Sequence, residues 1–406
     1  MERRTVLKLM ALASSSLFVP DVFSQKKVKV VVVGAGIIGA SAAYYLARAG
    51  ADVTIIDQQA PATHATKGTF AWLNATWAKQ PQSYHHFNQI SLQLWRDLAP
   101  TLGIPVVWNG SIEWFSSSER TTKLSQQISE QKLWGEDAMM LDATAMRHKE
   151  PMLEIADDVV AAFSGNDGAL DPILATNRFL HAAKFLGAKL RFPCRAMATK
   201  TEQGKALGLE TDTGFIAADH IVVCAGADSG SIEQLSGMDI PQRTTPGVIA
   251  QTEPLPQIIR GIIAAPGVHM HQRHDGRVIL GEQAGPPAGT AHKLRLQGRP
   301  NVFPNSTIAQ QHGQRLLQDA SKFFPKLQQA RIEDTYIGWR PLPLDGHPVI
   351  GPSSNIANVY LAISHSGISL APLIAKLLTQ EILQGEQFAN LENYRADRDF
   401  TRVVRY

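Results

Sequence analysis

The chain has 406 residues, of which 44% are hydrophobic and 18% are charged. This composition supports a large buried core and excludes an intrinsically disordered protein. The formal net charge is only +3, and no block of lysine or arginine follows the first residues, so nucleic acid is not an expected partner. Two cysteines, Cys194 and Cys224, are too few for a disulfide-rich scaffold.

The first segment, residues 1–26, resembles a twin-arginine export signal. Arg3 and Arg4 precede an apolar stretch from Leu9 to Val19, which is too short for a membrane-spanning helix. We expect export to the periplasm by this route, which carries folded proteins with their cofactors. Membrane contact would then occur only through the signal, if it stays uncleaved. A cytoplasmic protein with a basic tail is the alternative.

The next element is a strand from Lys29 to Val33, followed by glycines in the pattern G-x-G-x-x-G. Gly34 permits a tight turn, Gly36 lets the backbone approach a pyrophosphate, and Gly39 allows the following helix to pack closely on the strand. The amide groups at the start of this helix favour negative charge. The residues expected to contact a dinucleotide here are Gly34, Ala35, Gly36, Ile37, Ile38 and Gly39.

A second strand, Val53 to Ile56, ends at Asp57, which is followed by Gln58. The number of residues between Gly34 and Asp57 is close to that expected for an acid that accepts hydrogen bonds from ribose hydroxyls. Its charge disfavours the 2′-phosphate of NADP. This unit predicts a bound dinucleotide but leaves both FAD and NAD open.

The middle of the chain contains signals for antiparallel strands. Two apolar runs between Val106 and Phe115 flank Asn109-Gly110, which predicts a hairpin, and Arg277 to Gly281 after Asp275-Gly276 predicts another. Such strands do not belong to a parallel core. Asp171 and Pro172 are typical of the start of a helix.

Two carboxy-terminal segments are the most distinctive. One reads GWRPLPLDGHPVIG from Gly338 to Gly351, within which Asp345-Gly346 predicts a tight turn. The other reads VYLAISHSGISLAP from Val359 to Pro372 and predicts a strand, a loop, and a helix that begins near Ser369 with Pro372 in its first turn.

Taken in this order, these segments resemble the D-amino-acid oxidase family, which includes glycine oxidases, sarcosine oxidases and D-amino-acid dehydrogenases. The resemblance extends from Val28 to about Gly385. It implies an α/β fold in which an α+β substrate domain, built on an antiparallel sheet, is inserted into a Rossmann-like FAD-binding domain. The implied FAD-binding segments are 27–80, 165–241 and 335–406, and the implied substrate-domain segments are 81–164 and 242–334.

The resemblance also implies a reaction. A small anionic amine or amino acid would pass a hydride to flavin N5, and the resulting imine would hydrolyse. Oxygen or an electron-transport acceptor would then reoxidise the flavin. Two alternatives remain open: a non-catalytic flavoprotein with the same fold, and an NAD-dependent dehydrogenase that shares only the first strand–helix–strand unit.

The resemblance assigns Arg340 to the substrate carboxylate, a task suited to the planar fork of a guanidinium. A structural arginine before Pro341 is the alternative. His365 would contact flavin or substrate, although a structural histidine is equally compatible. Trp72, Trp108 and Trp114 could line the substrate pocket or belong to the core. The remaining flavin contacts implied are Lys67, Gly68, Thr69, Ala196, Ala225, Gly226, Arg340, Ser366, Gly367, Ile368 and Ser369.

The family's covalent flavin link through cysteine has no equivalent, because no cysteine follows Cys224. We therefore expect noncovalent FAD, with attachment through His64 as an alternative. The family's oxygen-assisting lysine is missing near Val278, which favours a dehydrogenase over an oxidase. His269 and His271 alternate onto one strand face, but no third ligand is evident, so no metal is expected.

Overall fold

The computed structural model describes residues 27–75, 79–282, 303, 305–386 and 388–402. The predicted export signal lies outside these residues. Within the described ranges, no helix has the length and apolar character needed to cross a membrane.

Helices surround four sheets. The described helices are α1 (Ile37–Arg48), α2 (Gln82–Leu102), α3 (Ser118–Leu133), α4 (Ala143–Lys149), α5 (Pro172–Phe185), α6 (Ser229–Ser236), α7 (Ser306–Ser321) and α8 (Gly367–Gln384), with 3₁₀ helices at Pro325–Gln329 and Ala389–Tyr394. Asp171 caps α5 through hydrogen bonds from the amides of Ile173 and Leu174, as predicted for this helix start.

The first large sheet has six strands, and all but one of its strand pairs are parallel. In spatial order the strands are β19 (Val349–Pro352), β20 (Val359–Ile363), β13 (His220–Val223), β1 (Lys29–Val33), β2 (Asp52–Ile56) and β9 (Lys189–Arg191). Side chains of β1 alternate between two cores: Val30 and Val32 pack with α1, α2, α5 and α8, whereas Val31 and Val33 pack with α6. A strand buried on both faces explains the continuous apolar run in the sequence.

The second large sheet has eight strands and is antiparallel except where β5 meets β15. Its order is β18 (Ile332–Pro343), β14 (Gln242–Pro254), β17 (Arg277–Glu282), β16 (Val268–Gln272), β15 (Ile262–Ala265), β5 (Ser111–Glu113), β7 (Val160–Ser164) and β6 (Ala138–Asp142). Leu316 and Leu317 of α7 pack on Val278 and Leu280 of this sheet. The predicted fold class, a parallel α/β domain combined with an antiparallel domain, is therefore confirmed.

Two three-stranded sheets complete the described fold. One contains β10 (Ala196–Glu202), β11 (Lys205–Thr211) and β12 (Gly214–Ala217), and the other contains β3 (Trp72–Leu73), β8 (Gly168–Leu170) and β4 (Val106–Val107).

The structure divides the chain differently from the predicted segments in two places. Strand β18 crosses the predicted boundary at 334/335, yet it pairs with β14 along its whole length, so Arg340 belongs to the antiparallel sheet. Helix α2 was predicted in the substrate domain, but its apolar face, including Tyr84 and Trp95, packs in the core beneath the parallel sheet.

The hairpin predicted around Asn109-Gly110 is wrong. Strand β4 pairs with β8, whereas β5 pairs with β7 and β15. The Asn109 side chain donates to the Arg260 carbonyl, and the Gly110 carbonyl accepts from Ile262, so the turn leads from one sheet into another. The hairpin predicted at Asp275-Gly276 is confirmed, since β16 and β17 pair across it.

The last helix begins at Gly367, earlier than predicted, so Pro372 lies inside it and not in its first turn. Proline has no N–H to donate to the carbonyl four residues earlier. In α8 that carbonyl belongs to Ile368, and the indole N–H of Trp95 donates to it at 2.9 Å. This bond from α2 compensates for the missing helical hydrogen bond.

Candidate active site

The loop between β1 and α1 has the geometry predicted for a dinucleotide cradle. Gly34 has a φ of +102°, a left-handed value that favours glycine. A Cβ on Gly39 would overlap the Gly34 carbonyl, and a Cβ on Gly34 would overlap the Cys224 carbonyl. A Cβ on Gly36 would come within 3.2 Å of the Thr66 hydroxyl. Side chains are thus excluded where a diphosphate must approach the backbone.

Asp57 lies at the end of β2, beside this loop. Its carboxylate accepts hydrogen bonds from the amides of Ala35 at 2.7 Å and Gln59 at 2.9 Å. An ionised carboxylate has about four acceptor positions, so two remain for ribose hydroxyls. Ala35 therefore acts by positioning Asp57. Gln58 accepts a hydrogen bond from Arg195, which places a cation at the same end of the site.

A first cavity of about 360 Å³ runs from Asp57 past the glycine loop to the start of α8. We call it the dinucleotide cavity. It brings together most of the predicted cofactor contacts. These are Gly34, Gly36, Ile37, Ile38, Gly39, Asp57, Gln58, Thr69, Ala196, Ala225, Gly226, Gly367 and Ile368, joined by His365.

A second cavity, also about 360 Å³, lies between the parallel domain and strands β14 and β18; we call it the substrate cavity. Gly68, Ser366, Ser369 and Arg340 line it. The backbones of Gly68 and Gly338 meet so closely at its wall that a Cβ on either would overlap the other residue.

The two cavities adjoin each other, because six residues line both. They are Ala65, Thr69, Trp339, Pro341, His365 and Ile368. The start of α8 lies at this junction, so its positive helix end faces the place where the two cavities meet.

Arg340 reaches the substrate cavity from β18, opposite Thr245 of β14. Its Nη1 donates to the Pro246 carbonyl at 2.9 Å, which orients the guanidinium. A Cβ on Gly247 would lie 3.1 Å from Arg340 Nη2, so the glycine provides room for the side chain. Arg340 is therefore placed in the cavity and does not serve only the loop before Pro341.

Lys67, like Ala35, is a predicted cofactor contact that the structure does not place in the lining of a cavity. It lines neither cavity, and its ammonium group lies 4.0 Å from the centroid of the Tyr336 ring. A cation over an aromatic face is a stable arrangement by itself, and a contact between Lys67 and phosphate stays a prediction.

The histidines of β16 stand beside the substrate cavity. His269 lines it and contacts the rings of Phe70 and Trp72. Burial, together with the positive charge of Arg340, lowers the pKa of His269 to about 4, so its imidazole is neutral at neutral pH. Among the described residues, no group of three or more histidine, cysteine, aspartate or glutamate side chains could hold a metal ion.

The predicted tight turn at Asp345-Gly346 is present, with the Gly346 amide donating to the Pro343 carbonyl. Burial opposes ionisation of Asp345, but hydrogen bonds from His347 and Arg398 outweigh it and hold the pKa of that carboxyl well below its usual range. The charge is structural, because Asp345 lines neither cavity.

Sequence reasoning missed several residues of the substrate cavity, notably Arg243 and Lys79, and did not assign Phe70 a role. Of the tryptophans that could line the pocket or belong to the core, Trp72 lines the substrate cavity, whereas Trp114 packs in the core of the antiparallel sheet. Side chains alternate between the two faces of β14, so the sequence indicates which residues of this strand share a face with Arg243. Only the pairing with β18 shows that this face also carries Arg340.

The dinucleotide cavity fits FAD. Glycines clear the path of a diphosphate, Asp57 is available to a ribose, and the junction offers a place for a flavin ring next to the substrate cavity. The fold and site thus define an oxidoreductase that binds an adenine dinucleotide.

The chain belongs to the DAO family of FAD-dependent oxidoreductases, whose pattern matches residues 29–381. FAD is therefore the cofactor, which resolves the choice between FAD and NAD that the glycine pattern left open. The protein is an enzyme of the amino-acid and amine oxidase kind, and the non-catalytic alternative is not supported.

Individual relatives agree with this assignment. Glycine oxidase from Bacillus subtilis is 24% identical over 384 residues, covering 91% of this chain and 96% of that protein. The bifunctional protein ThiO/ThiG of Nostoc sp. is 26% identical over 400 residues, covering 91% of this chain but only 55% of the relative. The structure of glycine oxidase from Geobacillus kaustophilus matches with a TM-score of 0.79 at 21% identity, covering 93% of this chain and all of that one.

Proposed function

We propose that the protein oxidises the carbon–nitrogen bond of a small amine that carries a carboxylate. The observation that supports this most strongly is the position of Arg340 in the substrate cavity, next to the junction with the dinucleotide cavity. A guanidinium forms two parallel hydrogen bonds to a carboxylate. Held in this way, the α-carbon of an amino acid would face the junction.

The reaction depends on positioning more than on acid or base groups. Bound FAD supplies a hydride acceptor. Arg340 fixes the substrate, and the rings of Phe70 and Trp72 add apolar surface to the lining of the same cavity. His269, neutral because of its low pKa, adds no charge near the amine. The oxidised product is an imine, which hydrolyses to a carbonyl compound.

The amino end of α8 supports the flavin electronically. Its first residues, Gly367 and Ile368, line the dinucleotide cavity. A helix start carries roughly half a positive elementary charge, which stabilises negative charge placed near it. His365 lines both cavities, and we propose that it contacts flavin or substrate at their junction.

We further propose noncovalent FAD and export by the twin-arginine route, with oxygen or an electron-transport acceptor reoxidising the flavin. Both cysteines are buried, and the sequence offers none beyond Cys224 for a flavin link. Fractionation of the native host checks export, and retention of the full-length protein in the cytoplasm would contradict it. Acid precipitation checks the flavin, and a pellet that stays yellow would indicate a covalent link.

The function is tested by anaerobic mixing of the holoenzyme with glycine, sarcosine, D-amino acids, and amines without a carboxylate, while flavin absorbance is followed. We expect bleaching by carboxylate-bearing amines. The Arg340→Gln variant should lose roughly 10²-fold to 10³-fold in kcat/KM, because a buried charge pair is broken. Arg331→Gln, which removes an exposed arginine paired with Glu253, is the matched control and should behave like wild type. Unchanged kinetics in Arg340→Gln would contradict the proposal.

A further inference from the structure

The substrate cavity contains a second arginine that the proposed reaction does not use. Arg243 lies on β14 opposite Leu342, and Arg340 lies opposite Thr245 on the same pair of strands. The two arginines are therefore diagonal neighbours on one sheet face, a relation that places Cα atoms roughly 7–8 Å apart. Both line the substrate cavity.

Two nitrogens of the Arg243 guanidinium find no hydrogen-bond acceptor among the described residues. Its Nε and Nη2 atoms are buried and form no hydrogen bond with any part of the chain that the structure describes. By contrast, Arg340 is oriented by the Pro246 carbonyl. Leaving buried charged donors unpaired is costly, and such donors are normally matched by an acceptor. A ligand in the cavity would supply that acceptor.

The charges around Arg243 point to an anionic ligand. Lys79 adds another positive charge to the cavity lining. Glu282 also lines the cavity, but its carboxylate pairs with Arg315 and lies 3.2 Å from His312 Nε2, so it is already engaged. Among the described lining residues, no other side chain is acidic. An amino acid with a single carboxylate would neutralise Arg340 and leave Arg243 unpaired.

We propose that the substrate carries two carboxylates, one bound by Arg340 and the other by Arg243. The preferred substrates would then be amino or imino dicarboxylates, in which a short chain separates the two acid groups. The inference rests on the proposed oxidation of a carboxylate-bearing amine and names its substrate class. The two guanidinium groups carry like charges on one sheet face, and such a ligand would neutralise both.

The test compares substrates that differ by one carboxylate: sarcosine with N-(carboxymethyl)glycine, and D-alanine with D-aspartate. In the wild-type holoenzyme the dicarboxylates should have the higher kcat/KM. In Arg243→Gln their kcat/KM should fall about 30-fold to 10³-fold, mainly through KM, since a buried charge pair is lost. Monocarboxylates should change by less than about threefold. Arg243→Lys keeps the positive charge but lacks the planar guanidinium, so its kcat/KM for dicarboxylates should fall less than that of Arg243→Gln.

Binding of inert acids separates this inference from the proposed function. Calorimetric titration of the holoenzyme with succinate and with propionate should show tighter binding of succinate, and Arg243→Gln should abolish the difference. If no amine bleaches the flavin but succinate still binds through Arg243, the oxidation is wrong and the dicarboxylate site stands. If amines bleach the flavin but Arg243→Gln affects both substrate classes equally, or neither, the dicarboxylate inference is wrong.

Discussion

The dinucleotide cavity and the substrate cavity are built from different parts of the chain. The first is centred on the glycine loop, where Gly34 and Gly39 let backbone segments pack against each other. The second is formed by side chains on β14, β16 and β18, including Arg243, His269 and Arg340. The first cavity therefore depends on close packing, whereas the second depends on charge.

This difference determines which amino-acid substitutions each cavity can tolerate. The glycine loop tolerates few substitutions, because a Cβ on Gly34 or Gly39 would collide with a backbone carbonyl, and this restricts the cofactor that it can bind. A cavity of side chains on a sheet can change its ligand through single substitutions that leave the strand pairing intact. The two meet at residues such as His365 and Ile368, where cofactor and substrate must be brought together.

The largest expected effect tests the backbone cradle. In Gly39→Ala, the new Cβ would overlap the Gly34 carbonyl, so α1 must move away from β1. We expect FAD affinity to fall by more than about 10²-fold, because the helix start no longer faces the diphosphate. Gly230→Ala in α6 is the control, since its Cβ would meet only Asp228 at 3.7 Å. Equal FAD titrations for both variants would refute the close-packing argument.

A smaller effect is expected at the junction. In Trp95→Phe, the Ile368 carbonyl loses its indole donor and has no helical donor, because Pro372 lies four residues later. Leaving this buried acceptor unpaired should lower the free energy of unfolding by about 1–3 kcal/mol, measured by denaturant titration. Trp134→Phe, at a half-buried tryptophan elsewhere, serves as comparison. A loss no larger than that of Trp134→Phe would show that the bond is unimportant.

The smallest effect concerns pH. Burial lowers the pKa of His269 to about 4 and that of His271 to about 3, aided by Arg340 and Arg273 respectively. Between the unfolded value of about 6.5 and these folded values, the unfolded chain binds more protons, so stability falls as pH falls. Each histidine contributes a slope of up to about 1.4 kcal/mol per pH unit.

The variant His271→Gln keeps a donor for the Phe70 carbonyl, with which His271 Nε2 now interacts at 2.9 Å. Its free energy of unfolding, measured by denaturant titration from pH 7 to about pH 5, should fall less steeply than that of the wild type. An identical slope in both proteins would contradict the assignment of this acid sensitivity to the buried His271 of β16.

The sequence predicted more of the dinucleotide cavity than of the substrate cavity. The glycine loop and Asp57 belong to one strand–helix–strand unit, so their spacing was informative, and the start of α8 follows a separate local pattern of strand, loop and helix. The substrate cavity depends on β14 and β18 lying side by side, and nothing local in the sequence shows that Arg243 and Arg340 share a face. The hairpin prediction at Gly110 was wrong for the same reason, because β4 and β5 pair with strands that lie far away in the sequence.

The central claim is that a flavin in the dinucleotide cavity meets a carboxylate held by Arg340 at the junction. The most direct measurement is the visible absorbance of the FAD-loaded protein during titration with an inert carboxylic acid such as propionate or succinate. We predict one FAD per chain and a saturable change in the flavin spectrum that Arg340→Gln abolishes. A folded protein that binds no FAD, or whose flavin spectrum does not respond to carboxylates, would contradict the account.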